Sequence, residues 1–172
     1  MWRLGHALVQ ATPCAVPPDT LLANCRCTGV YVDCYVTESE RAIALPEYVE
    51  AFYTTPLFKV ERLILRLLVS RPSSDKDARA LAAGNANTFA AWKVEERRAD
   101  QILLADVSGN TRSWLMVAPA SDGQRTRLYF GSAVVPGSNG QLGWPFRLLL
   151  GFHKRYARAL LRAAQRRLSK AR

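Results

Sequence analysis

Any chemistry in this 172-residue chain has to come from a short set of side chains. Four cysteines, Cys14, Cys25, Cys27 and Cys34, fall in the first 34 residues, and the histidines are His6 and His153. Cys25-Arg26-Cys27 is spaced too tightly for a zinc ribbon, whose paired ligands stand two to four residues apart, and no H-x-x-x-H follows. The thiols therefore read as ordinary small side chains, and no metal or other cofactor is expected. Spacing alone leaves open a bridge from Cys14 to Cys25 or Cys27, but MWRLGHALVQA is too short and broken for an export signal. His153 would need an acid or a nucleophile beside it to catalyse anything. Asp33, Tyr35 and Asp106 are the candidates, and spacing does not say which is near. G-x-S-x-G, H-E-x-x-H, G-x-x-x-x-G-K and G-x-G-x-x-G do not occur, which excludes the common hydrolase, zincin and nucleotide signatures. No residue is assigned a catalytic role.

A second kind of chemistry is recognition of an apolar molecule, which needs a concave wall of hydrophobic side chains with a few placed polar groups. The residues available for it are Trp92, Leu103, Trp114 or Leu115, Tyr129 or Phe130, Phe152 and Tyr156, with His153 beside them. Trp114 and Tyr129 are taken as the cavity-facing members of their pairs. Residues 112–118, RSWLMVA, are apolar enough on both faces to leave their inward side open.

The third kind is electrostatic. Lys and Arg total 24 against 14 Asp and Glu, for a net charge of +10. Nine of the bases lie between Arg147 and Arg172, where no acid occurs, and the rest of the chain holds 15 bases against 14 acids. A coat of positive charge for nucleic acid is usually drawn from several elements, so nucleic acid is not the expected partner. The alternative is an electrostatic binder of anionic membrane or nucleic acid, with Arg155, Arg158, Arg162 and Arg166 as the candidate contacts, at about 1 kcal/mol per base near a membrane surface.

These residues are positioned by a simple order of elements. Residues 1–29, punctuated by Pro13, Pro17, Pro18 and Gly29, read as an irregular lead-in to one domain at 30–172. Val30–Thr37 is rich in β-branched and aromatic residues, as a strand should be. Pro46 opens a helix, Pro56 interrupts it, and Leu57, Val60, Ile64, Leu67 and Leu68 continue at helical spacing up to Arg71-Pro72. Residues 72–87 read as a loop with one helical turn at DARALAAG. FAAWKVEERR, QILLADVSG, TRSWLMVAP and RTRLYFGSAVV are four further strands with turn residues between them. In the first of these, Ala90, Trp92 and Val94 alternate with Lys93, Glu95 and Arg97, so one face is apolar and the other charged. PGSNGQLG is a glycine-rich loop that suits either a solvent turn or the mouth of a pocket.

The last element runs from Pro145 to about Ser169. Leu149, Phe152, His153, Tyr156, Leu160, Ala163, Ala164 and Leu168 share its apolar stripe, with Lys154, Arg155, Arg158, Arg162, Arg166 and Lys170 on the solvated back. Helices segregated to one side of a hairpin-connected sheet make an α+β fold. The expectation is a curved antiparallel sheet with two short helices and a long C-terminal helix on its concave face. Nothing approaches 18 consecutive apolar residues, so no spanning helix is expected and the protein reads as cytoplasmic.

DCYVT at 33–37, EAFYTTPLFKVERLILRLLV, FAAWKVEERRADQILLADVSGNTRSWLMV and LGWPFRLLLGFHKRYARALL carry a resemblance. In this order they resemble the helix-grip superfamily of START and birch-pollen-allergen domains, and within it a bacterial branch with no assigned activity. The resemblance covers about residues 16–168, and the superfamily includes lipid-transfer proteins and polyketide cyclases. It implies a cavity between sheet and C-terminal helix for a small hydrophobic ligand, lipid or polyketide-like. A cyclase or aromatase is the enzymatic alternative. Chemistry is not implied, because function belongs to the site rather than to the fold.

Overall fold

The computed structural model describes residues 10–25, 30–60, 62, 72–135 and 144–170, the side chains of 144–153 excepted. The strands are β1 (Thr12–Pro13), β2 (Tyr31–Ser39), β3 (Thr88–Phe89), β4 (Trp92–Arg97), β5 (Gln101–Asp106), β6 (Thr111–Pro119) and β7 (Thr126–Val134). Among the described residues they form one antiparallel sheet in the order β1-β2-β7-β6-β5-β4-β3. Helices α1 (Leu45–Tyr53), α2 (Asp75–Ala82) and α3 (Trp144–Lys170) complete the fold, with a further helical segment at 56–60. The expected α+β helix-grip architecture is present: a curved sheet with short helices and a long C-terminal helix on one face.

Five strands coincide with the sequence reading, and two do not. β1 and β3 are each two residues long, too short to show a period, and β1 ends on Pro13 inside what reads as an irregular lead-in. Pro13 lacks an N–H, and the ladder there is closed by its neighbours, the Cys14 N–H donating to the Cys34 carbonyl at 3.0 Å. α2 stands where the sequence suggests a loop with a single turn. Its start is a reciprocal cap: the Ser74 N–H donates to the Asp77 carboxylate at 2.8 Å, and the Asp77 N–H donates back to Ser74 Oγ. The loop PGSNGQLG at 136–143 and the helical continuation over 63–71 lie outside the described residues.

The sheet is covered on both faces. On the inner face, Tyr35, Ile102, Leu104, Leu115, Leu128 and Phe130 pack with α1 and with Ala157, Leu160, Leu161, Ala164 and Leu168 of α3. On the outer face, Leu21 and Leu22 of the N-terminal segment pack on Cys34, Leu103, Trp114, Met116, Tyr129 and Ala133. Gln101, itself buried, ties this cover down: its Oε1 accepts the Leu21 N–H at 2.8 Å and the Trp114 indole N–H at 3.0 Å. Gly131 leaves the space that Leu22 occupies, since a Cβ there would stand 2.3 Å from Leu22 Cδ2 and 2.9 Å from the Asp33 carbonyl oxygen.

A bulge in β4 changes which residues face inward. Register slips between Val94 and Glu96, so Val94 lies opposite Leu104 and Arg97 opposite Ile102, both inner-face positions. Simple alternation places Arg97 with the charged outer residues. In the structure it turns in, and its Nη2 donates to the Leu81 carbonyl of α2 at 2.6 Å.

Candidate ligand-binding cavity

Directly paired residues of an antiparallel sheet point to the same face, so the inner face can be read row by row. Tyr35, Phe130, Leu115 and Ile102 form one row across β2, β7, β6 and β5. The next row is Asp33, Ser132, Ser113 and Leu104, and Tyr31, Val134 and Thr111 follow it. The face thus passes from apolar to polar along the strands.

Helix α3 crosses this face without closing on all of it. A cavity of about 660 Å³ remains, bounded by Phe130, Ser113 and Ser132 of the sheet, Trp92 of β4, Phe52 of α1, Leu57 and Phe58, and Arg155, Tyr156, Ala157 and Leu160 of α3. Its apolar end is aromatic. The ring centroids of Phe52 and Phe130 lie 5.0 Å apart and those of Phe52 and Phe58 6.2 Å, with Tyr53 and Phe89 packed against Phe58 outside the lining. Val60, also in the wall, is 55% exposed.

Behind the polar wall residue Ser132 lies a carboxylate, Asp33. Ser132 Oγ donates to Asp33 Oδ1 at 2.6 Å, and the Tyr31 and Tyr35 hydroxyls point to Asp33 Oδ2, each at 3.4 Å. Burial first, and the Asp33 charge second, hold the Tyr35 phenol up to about 12 and push Tyr31 upward as well. Both phenols therefore stay protonated at neutral pH. The Arg158 guanidinium lies 5.6 Å from the centroid of the Tyr35 ring and acts against that rise. Ser113 Oγ and the Tyr53 hydroxyl are 3.4 Å apart. Buried Nε1 of Trp92 has no hydrogen-bond partner among the described residues. No three His, Cys, Asp or Glu side chains gather into a metal-holding group among the described residues. None of their helices is long and apolar enough to cross a membrane.

Of the residues expected to line a cavity, Trp92 and Tyr156 do so. Leu103, Trp114 and Tyr129 do not: they lie on the outer face under Leu21 and Leu22. The inward members of the two open pairs are Leu115 and Phe130. The reason is the double cover, because a strand buried on both sides has no polar face to betray its orientation. Phe152 and His153 lie on α3, but their side chains fall outside the described residues. Asp33 and Tyr35, two of the three partners considered for His153, meet beside the cavity. Asp106 instead accepts from Ser108 Oγ and the Thr111 N–H in the β5–β6 turn.

The basic residues separate too. Arg166 is exposed, Arg162 is half-buried, and Arg155 is exposed at the cavity wall. Arg158 turns onto Tyr35 and so leaves the solvated back on which its spacing places it. The buried stripe is rotated accordingly to Ala157, Leu160, Leu161, Ala164 and Leu168, with Ala163 only half-buried. Sequence reasoning missed Phe52, Leu57 and Phe58 as wall residues, because it sought the wall on the sheet and the last helix. Their aromatic clustering in EAFYTTPLF was the available signal. No protein-family model, curated protein or solved structure matches the chain.

Proposed function

We propose that this is a cytoplasmic protein that binds one small hydrophobic ligand, lipid or polyketide-like, between the sheet and α3. The observation that carries the reading is the 660 Å³ cavity with its aromatic end and its few polar wall groups. Its size falls in the range of roughly 300–1,000 Å³ typical of small-molecule sites, and its lining has the usual balance of apolar wall and sparse polar groups. The fold agrees with the helix-grip superfamily that the sequence resembles, in which the ligand occupies the same place. The Cys14 and Cys34 thiols suit a reducing compartment.

The wall also describes the ligand. The aromatic end takes an apolar body by area burial, about 25 cal/mol per Å² removed from water. Ser113, Ser132 and the Trp92 indole N–H, which has no partner among the described residues, supply hydrogen-bonding groups for a carbonyl or hydroxyl. Arg155 favours a ligand with a polar or anionic head at the rim. Organic extraction of the purified protein followed by mass spectrometry tests this. A stoichiometric apolar compound with at least one oxygen is expected, and a protein that neither carries nor takes up such compounds would refute it.

A further inference from the structure

The N-terminal thiols are arranged in a way that ligand binding does not use. Cys14 follows directly on β1, opposite Cys34 of β2, and the backbone hydrogen bond between the two closes the ladder at that point. Their sulfurs are 3.3 Å apart, the Cys14 thiol donating to Cys34 Sγ. A hydrogen-bonded cross-strand pair has its Cα atoms about 5.5 Å apart, inside the roughly 4.4–6.8 Å that a disulfide spans. Side-chain rotation is enough to bring the sulfurs to bonding distance.

We propose that Cys14 and Cys34 are a redox-modification site, a dithiol that a low-molecular-weight disulfide converts reversibly into a bridge clamping the N-terminal cover to the sheet. The two thiols differ in role. Cys34 is buried beneath the cover, whereas Cys14 is half-buried and lines a surface groove of about 370 Å³ with Thr12, Val36, Arg127 and Tyr129. The hydrogen bond between the two thiols holds Cys14 below its usual range, and the same bond and burial push Cys34 upward. Cys14 is therefore the attacking thiol and Cys34 the resolving one.

The Cys14 thiolate attacks one sulfur of glutathione disulfide, whose S–S bond breaks and releases one glutathione thiolate. Cys34 then attacks the Cys14 sulfur of the mixed disulfide, giving up its proton to the departing second glutathione. Two protein thiols are oxidised, and one external disulfide is reduced to two thiols. The bridge encloses the segment that carries Leu21 and Leu22, so it fixes the outer cover in place. It leaves the cavity on the opposite face untouched.

The test uses the full chain as the C25S/C27S double variant, in which Cys14 and Cys34 are the only thiols, incubated with glutathione disulfide. Expected are an intact mass lower by two hydrogens and loss of both thiols to iodoacetamide after denaturation, reversed by dithiothreitol. A Tm higher on the order of 10 °C is also expected from closing a loop of this length. Adding C14S should abolish the mass loss. A stable glutathione adduct, two thiols that remain alkylatable, or an unchanged Tm would overturn the proposal. Should the double variant fail to fold, fragment-ion mapping of the oxidised wild-type chain decides. A Cys14–Cys34 link supports the proposal, and a link to Cys25 or Cys27 overturns it.

Discussion

Gly131 sits where the outer cover presses hardest on the sheet. A methyl group there would meet Leu22, the Asp33 carbonyl and the Trp114 ring, the last at 3.1 Å. Leu22 can rotate away, but the Asp33 carbonyl belongs to the neighbouring strand and cannot. Gly131→Ala should therefore destabilise the fold by about 1–3 kcal/mol, as overpacking does, read as a lower urea midpoint at unchanged slope. On the inner face, Arg158 is the cation that opposes the upward shift of Tyr35. Removing a positive charge beside a phenol disfavours the phenolate, so Arg158→Ala should move the Tyr35 titration above about 12. NMR of ring-labelled tyrosine would follow this, with a downward or absent shift contradicting the contact.

Among the elements, the N-terminal segment is the one whose role the sequence conceals. Its docking rests on Leu21, Leu22 and the two hydrogen bonds that Gln101 accepts. Gln101→Leu would leave the Leu21 N–H and the Trp114 indole N–H buried without an acceptor, at about 1–3 kcal/mol each. Hydrogen exchange at residues 20–25 should rise sharply in that variant while the strands β5 to β7 stay protected. Equal protection of the segment in both proteins would show that Gln101 does not hold it.

The same element explains what was legible. The five longer strands announce themselves by apolar, aromatic and β-branched runs set between turn residues, and Pro46 announces α1. Two-residue strands carry no period, and the Glu95 bulge reverses Arg97 without a sequence signature. Tyr156 and Trp92 stand at the wall, on elements that each keep a wet face and so show their orientation in the sequence. Leu103, Trp114 and Tyr129 do not, because Leu21 and Leu22 make the outer face as apolar as the inner one.

At the scale of the whole molecule, the charge concentrated in α3 and the cavity beneath it are two sides of one helix. Ala157, Leu160, Leu161, Ala164 and Leu168 hold α3 to the sheet, while Lys154, Arg166 and Arg167 face solvent. The basic helix is thus committed to the core by its apolar stripe, and the space left beside Phe52, Phe130 and Ser113 is what distinguishes the interior from a solid one. Ser113→Phe narrows that space from the sheet side and spares the outer cover. The decisive measurement is the titration of a neutral solvatochromic dye against the wild-type protein and this variant, each first checked for folding by its Tm. One blue-shifted dye per wild-type chain, bound at least about tenfold more weakly by Ser113→Phe, is the expected result. Equal binding by both proteins, or none by either, would contradict a ligand cavity between the sheet and α3.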